Sequence, residues 1–171
     1  LWKRLEGMEV DKLWLPGAIV DWKTGLPTGQ PIKDAKSKHT HCSQFVAAVA
    51  DRLTIPLLRP PEHGVVLLAN AQFDWLASDA GKKAGWVRLV DGAAAQSAAN
   101  DGRLVLASLK NPDATRPGHI AVVRPGTKSA EALAAEGPDI MQAGGTNALR
   151  TTLRQGFGNH KKEYDQIAFY A

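Results

Sequence analysis

The chain carries one cysteine and five histidines, the side chains best suited to covalent or proton-transfer chemistry. A lone cysteine is ordinarily a small buried hydrophobe. Its neighbours argue for more. Cys42, Phe45, Val46, Val49, Ala50 and Leu53 fall on one helical face, while Ala47, Ala48, Asp51 and Arg52 lie off it. Cys42 therefore opens a helix, with Thr40 or His41 near the N-cap. Unpaired N–H groups and the helix dipole at such a position favour a thiolate. A thiol nucleophile also needs an imidazole to take its proton and return it to a leaving amine. His119 follows Gly118 and opens the strand-like run His119–Val123. Ala121 and Val123 on its face are small enough to let a helix end approach.

An acyl-transfer site also needs donors for a developing oxyanion. The backbone N–H of Cys42 is the natural first donor. His41 and Trp22 are candidate side-chain donors, and the residue pattern does not choose between them. Ser43 belongs to the same stretch, and its hydroxyl is expected to bond within the first helical turn. A rival chemistry is zinc binding by His39, His41 and Cys42, completed by His119, His63 or His160; no common zinc spacing is matched. His63 reads as a loop residue and His160 as solvated surface.

These residues need elements to hold them. Residues 1–31 give a short amphipathic helix or packed arm around Trp2, Leu5, Met8, Leu13 and Trp14, then successive Pro and Gly turns. Thr54-Ile55-Pro56 ends the Cys42 helix. A second helix is expected over 64–77, broken by Gly81 and Gly85. Trp86–Val90 reads as a short edge segment. Residues 91–100 form a small helix with Asp91 as its cap and Gly102 past its end. Strands are expected at 104–109, 119–123, 140–143 and 166–170, with antiparallel pairing of neighbours. Helices come first and strands second, which points to α+β, not to an alternating parallel sheet.

The 171 residues suit one domain with a core of its own, residues 1–35 serving as an N-terminal arm. One cysteine excludes an internal disulfide. No apolar run approaches the roughly 20 residues that cross a bilayer, so membrane insertion is not expected. The first residue is Leu1, which is compatible with a leader removed upstream. A net charge of +4 favours anionic partners. That charge is scattered: Lys33, Lys36 and Lys38 form one loose group, Lys161 and Lys162 another. Neither is interleaved with aromatics, which argues against a single-strand nucleic-acid groove.

Two stretches taken together add a resemblance. His41-Cys42-Ser43-Gln44-Phe45-Val46, followed later by Gly118-His119-Ile120-Ala121-Val122-Val123, resembles the NlpC-type cell-wall peptidases and the related CHAP amidases of the papain-like superfamily. Similarity to the peptidoglycan amidase effectors of bacterial type VI secretion is closer still. It includes the Ile55-Pro56 exit, the Ala-rich 93–99 helix and the run Leu104–Lys110, covering roughly residues 40–145. The resemblance implies a papain-like fold, with the Cys42 helix packed on an antiparallel sheet that carries His119. It also implies a thiolate–imidazolium pair, an acyl-enzyme and cleavage of a stem-peptide amide, such as that joining D-glutamate to meso-diaminopimelate. A polar third residue on the strand after His119 orients the imidazole in this family. Gln142 is the candidate, with Asp139 and Asn147 as fallbacks. No cofactor is implied. The implied setting is the periplasm or an extracellular cell wall, the implied partners are stem peptides and a cognate immunity protein, and the expected state is a monomer. Two positions depart from the family: His41 stands where relatives carry Asp or Asn, and Gln44 where many carry Gly. Both alter the pocket wall.

Overall fold

The Cys42 pattern becomes helix in the computed structural model, which describes residues 1–33 and 39–171. Seven α-helices occur among the described residues: α1 (Trp2–Glu6), α2 (Cys42–Arg52), α3 (Leu68–Ala77), α4 (Asp79–Lys83), α5 (Gly92–Asn100), α6 (Ala130–Glu136) and α7 (Leu153–Gly156). The strands are β1 (Arg88–Leu89), β2 (Val105–Leu109), β3 (His119–Val123), β4 (Asp139–Gln142), β5 (Ala148–Thr152) and β6 (Ala168–Tyr170). A 3₁₀ segment, Gly158–Gln166, lies between α7 and β6. Lys36 and Lys38 of the loose basic group lie outside the described residues.

The six strands form one sheet in the order β1-β6-β2-β3-β4-β5, with every pair antiparallel. The fold is thus α+β, as the order of elements predicts. The last strand returns to lie between β1 and β2. At its centre β2 and β3 pair over five residues each, Leu109 standing opposite His119. Both strands are buried throughout, which fits their apolar, β-branched content.

Helices cover both faces. Leu106, Ile120, Val122 and Met141 pack with Cys42, Phe45, Val46 and Val49 of α2. Ala107, Ala121, Val123 and Ile140 pack with Ala95 and Ala99 of α5, and with Leu153 and Phe157. The approach of the Cys42 helix therefore differs from the expectation. It packs on the Ile120 and Val122 face of β3, and the small side chains Ala121 and Val123 receive α5 instead. Strand alternation forces this once Ile120 faces α2.

Helix α2 is buried all round from Cys42 to Ala50, including Ala47 and Ala48 off the expected stripe. The sheet covers one side; α3 and the N-terminal arm cover the rest. Trp14 is fully buried and meets Phe45 edge-on at 5.4 Å between ring centres. Burying each such ring contributes roughly 2–3 kcal/mol. Asn147 fastens the arm from the other side, its Nδ2 donating to the carbonyls of Val10, Leu13 and Trp14 at 2.8–3.1 Å. Arg124 donates to Glu6 and to the Leu149 carbonyl, tying α1 to the sheet. Leu5, Met8, Val10, Trp14 and Val20 of the arm thus join the core.

Some boundaries shifted. The second helix starts at Leu68, and Gly81 sits inside α4 instead of breaking a helix. A side chain at Gly81 would overlap the Trp75 carbonyl, so two short helices meet there at close range. The Asp91 cap is present, accepting from Ala94 N–H at 2.8 Å. The segments α6, β5 and α7 went unforeseen, so helices also follow strands late in the chain.

Candidate active site

His41 is the N-cap of α2 and caps nothing with its side chain. The first N–H groups of the helix are consequently unclaimed by a cap, and they surround Cys42. Burial pushes the thiol above the ordinary thiol range; the backbone N–H groups of Ile120, Ser43 and Cys42 itself pull the other way. Ile120 is the residue after His119. The sulfur thus lies beside the peptide bond that joins the two, where helix start and strand start meet.

The His119 ring sits with Phe157, whose cluster lies on the α5 face of the sheet. The two rings meet edge-on at 4.6 Å. The His119 Nε2 lies 2.8 Å from Gln142 Oε1, in a buried bond. Gln142 is itself oriented, because its Nε2 donates to the Thr146 carbonyl at 3.0 Å. An amide with its NH₂ committed to a carbonyl turns its oxygen to the histidine. His119 then carries its proton on Nε2, and Nδ1 presents a lone pair. Burial lowers the His119 pKa, with the Gln142 bond opposing this. The imidazole is neutral near pH 7 and free to accept a proton on Nδ1.

Cys42 and His119 are 6% and 7% exposed. No direct hydrogen bond joins the sulfur to the imidazole. Burial favours the neutral form of each. Catalytic contacts are often long in ligand-free enzymes and tighten with substrate bound.

Three glycines make the close packing possible. A side chain at Gly118 would overlap the Leu109 carbonyl and crowd Asn70 Oδ1. One at Gly156 would meet Gln142 Oε1, and one at Gly144 would touch both His119 and Gln142. Asn70 on α3 holds the loop that delivers His119: Oδ1 accepts from Gly118 N–H at 2.9 Å and Asn111 N–H at 3.1 Å, and Nδ2 donates to the Arg116 carbonyl at 2.9 Å.

The remaining candidates are spread out. The His41 ring turns to the arm: Nδ1 meets Gln44 Oε1 at 2.6 Å, while Nε2 makes no hydrogen bond and has the Ala18 and Leu15 carbonyls nearby. Burial lowers its pKa as well. With the Gln44 amide oxygen and the Ala18 and Leu15 carbonyls around it, the His41 ring is directed to acceptors of its own helix and of the arm. Trp22 lines a groove of about 410 Å³ with Lys23, Asp51, Arg59 and Glu62. Asp51 is nine residues along α2 from Cys42, about 13 Å away. Ser43 is buried, its carbonyl accepting from Gln72 at 3.2 Å. The Cys42 and Ser43 N–H groups lie beside the sulfur itself. Of the fallbacks for the third residue, Asp139 pairs with Lys128 at 2.8 Å and with Arg150, and Asn147 serves the arm.

Among the described residues, no three His, Cys, Asp or Glu side chains gather as a metal-binding set, which leaves the His39, His41 and Cys42 grouping without support. His63 Nδ1 bonds the Gly64 carbonyl at 2.6 Å in an exposed loop. His160, expected at the solvated surface, is half-buried and stacks on His119 with 6.4 Å between ring centres and 17° between planes. Its sequence setting, Asn159-His160-Lys161-Lys162, carries no signal of this.

Among the described residues no helix is long and apolar enough to cross a membrane. A scan against protein-family models and a search of curated proteins find no match to this chain.

Proposed function

We propose that this protein is a cysteine hydrolase of papain-like, NlpC-type architecture that cleaves a peptidoglycan stem-peptide amide, with Cys42 as nucleophile, His119 as base and Gln142 as its orienting partner. One observation carries the reading. Gln142 fixes the proton of His119 on Nε2 and leaves Nδ1 as an acceptor, on the residue whose peptide bond lies beside the Cys42 sulfur.

In this reading His119 Nδ1 takes the thiol proton as the sulfur attacks the scissile carbonyl. The oxyanion is held by the Cys42 and Ser43 N–H groups. The imidazolium then gives its proton to the departing amine, leaving a thioester. Water, deprotonated by the same nitrogen, releases the carboxylate and restores the thiol. Burial keeps the resting pair neutral, so proton transfer accompanies attack. The stem-peptide substrate, action in a periplasm or outer cell wall, delivery by type VI secretion and an immunity partner all rest on the resemblance of the two stretches around Cys42 and His119.

The buried, raised thiol favours one competing reading, an inert structural cysteine. A single experiment separates them. Purified peptidoglycan is digested with the wild type and with Cys42→Ala, and the fragments are identified by mass spectrometry. New amine and carboxyl ends from the wild type alone are the expected result. Equal digestion by both proteins would end the proposal.

A further inference from the structure

We propose that the recess bounded by Phe73, Leu109, Pro112 and Gln166 is a specificity subsite that takes an uncharged aliphatic side chain of the peptide, beside the amide being cleaved. This deepens the hydrolase reading and rests on it for the position of that amide.

The recess has a volume of about 250 Å³ and is walled by Phe73, Leu109, Lys110, Asn111, Pro112 and Gln166. Sites that enclose a whole small ligand run to roughly 300–1,000 Å³, so this one suits a single side chain. Its place follows from the sheet. Leu109 ends β2 and stands opposite His119 at the start of β3. One strand spacing, about 5 Å, therefore separates the backbone at Leu109 from that of the candidate base. Helix α3 joins the two. Asn70, Phe73 and Asp74 lie three and four residues apart, which puts them on one helix face. Asn70 holds the loop before His119 through the Gly118 and Asn111 N–H groups. Phe73, half-buried, walls the recess.

The chemistry of the lining decides what fits. Phe73, Leu109 and Pro112 are apolar. Lys110 would favour an anion, but its Nζ donates to Asp74 Oδ2 at 2.6 Å and its charge is neutralised there. Asn111 is committed to its own loop: Nδ2 donates to the Pro117 carbonyl at 3.0 Å, and Oδ1 accepts from the Asp113 N–H at 3.0 Å. Gln166 is exposed, and its amide bonds no described residue. Such an amide at the rim can donate to a peptide carbonyl and accept from a peptide N–H. A charged side chain would lose water in the recess and gain no partner. An aliphatic side chain on a peptide backbone is the ligand that apolar walls and a rim amide select.

The test reads binding, so it does not depend on turnover. The full chain is titrated with the racemic N-acetyl, N-methylamide forms of leucine and aspartate, whose side chains share one branched shape. Binding is followed through the Phe73 ring and Gln166 amide resonances. The leucine form is expected to bind about fivefold more tightly and to shift both signals. Asp74→Asn frees the Lys110 ammonium without changing a residue of the wall, and should move the preference toward the aspartate form. Gln166→Ala, at an exposed position, should weaken both ligands alike. Equal binding of the two ligands, no saturable binding of either, shifts confined to other residues, or a preference unchanged in Asp74→Asn would each overturn the subsite. None of these readouts uses the thiol, so the hydrolase reading is judged separately, by the Cys42→Ala digestion.

Discussion

The His119–Gln142 bond is the contact on which proton traffic at the site depends. Gln142 keeps the imidazole in one tautomer, and it does so as a neutral group, leaving His119 less basic than a carboxylate partner would. Gln142→Ala removes the acceptor and lets the ring flip. In an active hydrolase we expect kcat to fall about 10–100-fold with little change in KM, since general acid–base catalysis as a whole is worth about 10²–10⁴. Gln142→Glu should retain orientation and move the acid limb of the pH profile upward, because a carboxylate favours the imidazolium. A profile unmoved in Gln142→Glu would show that Gln142 does not act through His119. At this scale Cys42, His119 and Gln142 were all legible as candidates. The His160 stack was not, because nothing in its local sequence requires it to be buried.

At the scale of elements, the loop 111–118 must deliver His119 to the start of β3, and α3 does this through Asn70. Its side chain satisfies two buried or half-buried N–H groups and one carbonyl. Asn70→Ala leaves those donors unpaired, and a loss of about 2–3 kcal/mol is expected from urea unfolding. Asn70→Asp keeps the acceptor oxygen but loses the donor to the Arg116 carbonyl and buries a charge, so it should recover only part of the loss. No destabilisation in Asn70→Ala would mean that these hydrogen bonds do not hold the loop. Helices α2 and α5 were readable from periodicity and a cap, since both signals are local. Strand β5 and helices α6 and α7 were not. The residues of β5, Ala-Leu-Arg-Thr-Thr, are only half-buried and show little alternation, so their pairing with β4 decides their form.

For the molecule as a whole, burial of titratable groups gives a pH window. His41, His119 and His160 all have pKa values lowered chiefly by burial. Their unfolded forms take up protons near pH 6.5 and their folded forms only at lower pH. The stability they permit is full above about 6.5 and declines as pH falls toward their folded values. Cys42 has the opposite consequence: its folded pKa is raised, so stability declines as pH rises past about 8.5, where the unfolded thiol ionises. The urea midpoint should therefore be highest between about pH 6.5 and 8.5, and His119→Gln should flatten the acid side. A midpoint unchanged from pH 7 to pH 5 would contradict the burial of these rings. The ion-paired Asp139 and Glu6 have lowered pKa values and act only at still lower pH, around and below 4, so the two effects separate.

The sequence by itself determined where α2 begins, that His119 opens a strand, that Asp91 caps a helix and that the class is α+β. Each of these follows from periodicity, capping or β-branched content within a few residues. Tertiary structure decided the rest: that α2 meets β3 on its Ile120 face, that β6 inserts beside β2, that the arm is locked by Trp14 and Asn147, and that Gln142 turns its oxygen to His119. Those outcomes depend on partners far apart in the chain, on whether Thr146 takes the Gln142 amide and on which strand face α2 covers. Local chemistry can nominate such residues; only their packing against one another assigns them their protons and their orientation.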